Sequence, residues 1–131
     1  MADLKNIALT IEAAQTATDL KSRLGVTEQM DLIRLGFAYA VAHELDLNRD
    51  SAFGTRGGSN YDTGGLDQDS LMAETVRIYY PQPEVLAEPY RAVETLMNKG
   101  LRLLGEHWQQ GIVGSVGDLV PTALVAEHQH S

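Results

Sequence analysis

The chain has no cysteine, and its 131 residues include one tryptophan, two phenylalanines and only three lysines. Without thiols there are no disulfides, thiolate metal sites or cysteine nucleophiles, and such a composition suits a reducing cytoplasm. No apolar run approaches the roughly 20 residues that span a bilayer. Residues 1–5 lack the basic start and apolar stretch of a secretion signal. A soluble, cytoplasmic protein without membrane association is therefore expected. Positive charge is also scarce: the net charge is -8, with six basic against eight acidic side chains in residues 1–60 and four against ten in residues 61–131. Strong independent binding to nucleic acid draws on Lys and Arg displacing counterions from phosphates, so this balance argues against it. Any DNA-facing surface is expected mainly in the first half.

What is present is enough apolar material, 44% of residues, for one core, and a single domain over residues 1–131 is expected. In residues 5–12, Ile7, Leu9 and Ile11 alternate with smaller side chains, the period of two of a short extended segment. Residues 13–24 then favour helix, with Ala13, Ala17, Leu20 and Leu24 on one stripe and Gly25 placed to cap its C-terminus. Thr27 is a candidate N-cap for a second helix over residues 28–45. There Met30, Ile33, Phe37, Val41 and Leu45 recur every three to four residues, and Leu35, Ala38 and Ala42 widen the apolar arc. An arc this wide is expected to be covered from two sides, one of them by another copy of the chain.

The periodicity stops over residues 46–66, where glycine clusters predict a long flexible connection. A third helix is predicted over residues 67–80, with Asp67 as candidate N-cap and Pro81 and Pro83 ending it. A fourth, with Pro89 in its first turn, is predicted over residues 88–108. Residues 111–131 read as a glycine-containing tail. The expected fold is thus mainly α: a compact four-helix domain with a short extended N-terminal segment, a start like that of a ribbon-helix-helix protein.

Catalytic patterns are absent from the sequence. Gly54-Thr55-Arg56-Gly57-Gly58 is not followed by the Gly-Lys-Ser or Gly-Lys-Thr of a phosphate-binding loop. His43, His107, His128 and His130 form no spaced metal-binding pair, and Ser51, Ser59 and Ser70 lie in no nucleophile elbow. The acids Asp62, Asp67, Asp69 and Glu74 match no calcium-loop spacing. No enzyme activity, metal or cofactor is expected.

Several strings occur in an order that resembles the DndE family, a component of the pathway that replaces a non-bridging phosphate oxygen of DNA with sulfur. They are Leu9-Thr10; Leu24-Gly25-Val26-Thr27; Leu32-Ile33-Arg34-Leu35-Gly36-Phe37; Leu71-Met72-Ala73-Glu74-Thr75; Tyr79-Tyr80-Pro81-Gln82; and Asn98-Lys99-Gly100-Leu101-Arg102-Leu103-Leu104 followed by Glu106-His107. The resemblance runs over residues 7–107. It implies a helical homotetramer that works beside the sulfur-transfer enzyme and the ATPase of a phosphorothioation complex and contacts nicked duplex DNA through basic side chains. On this chain the candidate DNA-facing residues are Lys5, Lys21, Arg23, Arg34 and Lys99. The acidic surplus departs from that pattern and favours a scaffold whose DNA contact is local and shared with partners. Arg34, in a largely apolar helix, is expected in an internal or inter-subunit ion pair before a phosphate contact. The alternative is a ribbon-helix-helix transcriptional regulator, in which paired strands would present Asn6, Ala8 and Thr10 to the major groove.

Overall fold

The computed structural model of the protein describes residues 3–49 and 53–112. Strand β1 (Asn6–Thr10) leads directly into α1 (Ile11–Arg23), because the Thr10 hydroxyl accepts a bond from the Ala13 N–H at 3.2 Å and so caps the helix. This ends the strand two residues earlier than its alternation predicts. α1 stops where expected. Gly25 takes a left-handed φ of +71° and the Val26 N–H reaches back to the Lys21 carbonyl at 3.1 Å, the Schellman arrangement.

Helix α2 (Gln29–Ala42) starts after Glu28, and no side chain caps it, so the N-cap role expected of Thr27 is not realised. Its end closes three residues before the predicted Leu45. There Glu44 adopts the left-handed conformation (φ 54°), and the Leu45 N–H donates to the Ala40 carbonyl.

The stretch expected to be a flexible connection is structured in its second half. Strand β2 (Arg56–Asp62) pairs antiparallel with β1, and a one-turn helix α3 (Thr63–Leu66) follows. The partners Ala8↔Asn60 and Thr10↔Arg56 show β2 advancing four residues while β1 advances two. This irregularity, together with mostly exposed polar and glycine residues, removes the alternation that would mark a strand. Pairing comes instead from close backbone approach: a Cβ on Gly58 would lie 2.5 Å from the Leu9 carbonyl oxygen.

Helix α4 (Leu71–Tyr79) begins four residues later than predicted, with Ser70 and not Asp67 at the N-cap position, yet the Asp67 side chain still caps its first turn from farther back. Its carboxylate accepts from the Met72 and Ala73 N–H groups at 2.9 and 3.1 Å. The short α5 (Pro83–Ala87) occupies the segment between the prolines, and the long α6 (Pro89–Gln109) completes the described chain. Among the described residues six helices stand where four were expected, because α3 and α5, of four and five residues, are too short to carry a periodic signal. The fold is mainly α with one small sheet, and no described helix is long and apolar enough to cross a membrane. Residues 113–131, most of the predicted tail, lie outside the described residues.

α6 is the axis of the molecule. Residues 92–101 are buried without interruption, which requires cover on every side, and α1, α2, α4, α5 and β1 supply it. Its largest neighbour is α2. The two helices run in the same direction and touch at Gly36 and Gly100, where a Cβ on Gly100 would lie 1.8 Å from the Gly36 carbonyl oxygen. This contact corrects the expectation about the wide apolar arc of α2. Leu32, Ile33, Phe37, Tyr39 and Ala40 are buried within their own chain, and the exposed residues of α2 include only the small Ala38 and Ala42 among apolar types. The large apolar side chains left in solvent lie mainly on α4 and α5: Leu71, Ile78, Tyr79 and Leu86.

Candidate functional site

The five expected DNA-facing residues do not converge. Lys5 is exposed just before β1, Lys21 and Arg23 lie in the last turn of α1, Arg34 is on α2 and Lys99 is in the middle of α6. Arg23 is paired with Asp19 at 3.0 Å, both half in solvent, where such a pair holds weakly and can be exchanged for a phosphate. Arg34 is held more firmly. It bridges Asp31 at 2.9 Å and donates from Nε to the Leu66 carbonyl at 3.0 Å, the internal pairing its sequence position favoured.

Lys99 leaves the set. It is 4% exposed, and its Nζ donates to the Asp46 carboxylate at 2.7 Å, the Asp46 carbonyl at 2.9 Å and the Asn48 carbonyl at 3.0 Å. Three donors thus meet three acceptors. The ammonium fastens the chain leaving α2 to the central helix, and this contact holds the Asp46 carboxyl below the usual carboxylate range.

Sequence reasoning missed the main polar cluster, which is centred on Glu94. This carboxylate is fully buried and accepts from the Ala8 N–H at 2.9 Å, while Arg49 and Arg56 reach it at 3.0 and 3.1 Å. Arg49 also donates to the Thr95 hydroxyl and the Arg91 carbonyl, and its guanidinium stacks 4.5 Å from the centre of the Phe53 ring. Burial pushes the Arg49 guanidinium down, the Glu94 carboxylate opposes this, and the nearby Arg91 and Arg56 charges add to the downward push. One turn along α6, Asn98 accepts from the Thr10 N–H at 2.7 Å and donates to the Ala8 carbonyl at 2.9 Å.

Together Glu94 and Asn98 bind the edge of β1 that β2 does not use. The only sequence signal for this was polarity at two consecutive turns of an otherwise apolar helix face. The cluster is an internal clamp in which both carboxylate oxygens of Glu94 are engaged by their partners.

Two smaller constellations remain. The Tyr39 hydroxyl is hydrogen-bonded to His107 Nδ1, and His43 stacks beside Tyr39 with ring centres 4.2 Å apart. This joins the C-terminal ends of α2 and α6, and burial raises the Tyr39 phenol above its ordinary pKa. Between α2 and α4 lies an open groove of about 400 Å³, floored by Phe37, Leu66 and Met72 with Arg34 and Asp69 on its rim. The acids considered for a cation are dispersed: Asp62 caps α3, Asp67 caps α4, and Glu74 pairs with Arg77 at 2.8 Å. Among the described residues, no group of three or more His, Cys, Asp or Glu is placed to hold a metal ion. No family model, curated protein or solved structure matches the chain.

Proposed function

We propose that this protein is a non-catalytic subunit of a bacterial DNA phosphorothioation system: an oligomeric scaffold, tetrameric as the DndE resemblance implies, that works in the cytoplasm beside the sulfur-transfer enzyme and the ATPase. Its contact with nicked duplex DNA is made through Lys5, Lys21 and Arg23, and partner subunits supply the remaining charge. The reading draws on the ordered strings over residues 7–107 and needs no cofactor. The observation that carries it is the apolar stripe of α4. Leu71 is 69% exposed, Ile78 71% and Tyr79 66%, which is the mark of a chain built to be covered by other protein.

The alternative, a ribbon-helix-helix regulator, requires β1 to pair with β1 of a second copy. Here one edge of β1 is taken by β2 and the other by Glu94 and Asn98, and Ala8 is buried rather than offered to a groove.

The test is co-expression with the sulfur-transfer enzyme and the ATPase of a phosphorothioation system. Recovery of a stable complex containing all three, whose modification of DNA is lost without this chain, is the expected outcome. A chain that purifies alone, and whose deletion leaves DNA sulfur content unchanged, would overturn the assignment.

A further inference from the structure

The exposed side chains of α4 have a regular spacing. Leu71, Thr75, Ile78 and Tyr79 fall at i, i+4, i+7 and i+8, so they form one stripe on the outer side of a helix whose inner side already buries Met72, Ala73 and Val76. The Thr75 hydroxyl is satisfied internally, donating to the Leu71 carbonyl at 2.6 Å. The Tyr79 hydroxyl at the end of the stripe is therefore the side-chain group that a covering surface must meet with a partner or leave at its rim. Leu71 and Thr75 also line the groove between α2 and α4, so a ridge and a hollow share one face of the protein.

The charges beside the stripe are of both signs. Glu74 and Arg77 lie one turn apart and pair with each other at 2.8 Å, both partly exposed. Around the groove, Arg34 is likewise paired with Asp31. Asp67 and Asp69 also line the groove, so the face keeps some negative charge. What suits it to a second copy is that Glu74 and Arg77 lie side by side along the stripe and can exchange partners across a two-fold axis. The arrangement is also self-complementary. If two α4 helices cross antiparallel about a two-fold axis near Thr75, Leu71 of each copy faces Ile78 and Tyr79 of the other, and Glu74 comes beside Arg77. A ridge, a hollow and opposite charges on one patch are what an isologous contact requires.

We infer that the outer face of α4, with the adjoining α2–α4 groove, is a two-fold interface between copies of this chain. The inference rests on the proposed scaffold role and gives its self-assembly a surface and a symmetry.

The test uses the full chain, and sedimentation at micromolar concentration gives its mass. Wild type is expected as a dimer or a larger even-numbered assembly. Ile78→Glu is expected to weaken this contact at least about 30-fold, as a central interface residue does, and so to halve the mass with helical circular dichroism unchanged. Because the chain has no cysteine, Thr75→Cys supplies a second readout that does not depend on destabilising anything. Mild oxidation should give a covalent dimer, since the two thiols meet at the axis and a disulfide forms only when the Cα atoms come within about 7 Å. Thr18→Cys, exposed on α1, should not cross-link. A wild-type monomer at these concentrations overturns both the interface and the self-assembling scaffold. An oligomer untouched by Ile78→Glu, with no Thr75→Cys cross-link, overturns the interface and leaves the scaffold reading in place.

Discussion

Gly100 and Gly36 show how much of this fold depends on single atoms. Adding a methyl group at Gly100 drives it into the backbone of α2, 1.8 Å from a carbonyl oxygen, whereas at Gly36 it meets the Leu101 side chain at 2.6 Å. A backbone cannot step aside as a leucine rotamer can. Gly100→Ala should therefore cost roughly 3 kcal/mol, the upper range for overpacking. Gly36→Ala should cost less than that but still be a loss, because the buried Leu101 crowds the site with its Cγ and, at 3.1 Å, its backbone nitrogen. The gain of about 1 kcal/mol in helix propensity is common to both. Urea denaturation of the two variants tests the order, and equal losses would show that the helices can separate freely.

The opposite case is Glu44, a non-glycine residue at the left-handed position that closes α2. Glycine there relieves a conformational penalty of about 1 kcal/mol, so Glu44→Gly is expected to stabilise by up to that amount. This residue also explains a boundary that could not be read in advance. The end of α1 is announced by Gly25, while α2 closes with the same hydrogen bonds on a residue that carries no such signal.

At the scale of elements, β1 is held along both edges, and only one of its two partners is a strand. Glu94 and Asn98 use a carboxylate and an amide where another strand would use peptide groups. Replacing Glu94 by Gln keeps an acceptor for Ala8 but leaves two guanidinium groups without their counter-charge. The expected loss is roughly 2–4 kcal/mol, at the lower end for a broken buried pair because Arg56 is half in solvent. Asn98→Ala orphans the Thr10 N–H and the Ala8 carbonyl, and each buried group left unpaired costs about 1–3 kcal/mol. Thermal melts of both variants, with hydrogen exchange at Ala8 and Thr10, would locate the damage. Loss of protection elsewhere but not in β1 would contradict the clamp.

The connection between α2 and β2 is tied by two carboxylates: Asp46 to Lys99, and Glu12 to the Thr55 N–H at 2.8 Å. The bond from Thr55 lowers the Glu12 pKa, and the bond from Lys99 lowers that of Asp46. A folded-state pKa below the unfolded one means that the unfolded chain binds more protons. The added stability is then complete above the usual carboxylate range and lost as the pH falls below about 4. Glu12→Gln keeps an acceptor but removes one linked proton, so its urea midpoint should fall less steeply between pH 5 and pH 3 than that of wild type. Identical slopes would reject the linkage.

The elements whose own residues repeat at a helical period, α1, α2, α4 and α6, were legible within a few residues at each end. β2 was not, because Arg56-Gly57-Gly58-Ser59-Asn60-Tyr61-Asp62 becomes a strand only through what β1 offers it. The polar clamp on α6 was invisible for the same reason, since Glu94 and Asn98 acquire meaning from partners more than 80 residues away.

For the whole molecule, the distribution of charge decides what it can do with DNA. Of the five candidate cations, Lys99 is consumed inside the fold and Arg34 is tied to Asp31 and Leu66. Lys5, just before β1, and Lys21 and Arg23, in the last turn of α1, remain, against an overall charge of -8. Three phosphate contacts predict a slope of log K against log salt near about -3 per bound copy for duplex DNA. Lys21→Glu should abolish the shift of a nicked duplex at low salt, while Lys99→Gln, provided it folds, should leave it unchanged. Because so few contacts confer little affinity at physiological salt, the isolated chain should release DNA there and retain it only within a larger complex. A slope steeper than about -5 from the purified chain would require more cations than this surface offers, and would point to the arginines around Glu94 opening outward to meet the phosphates.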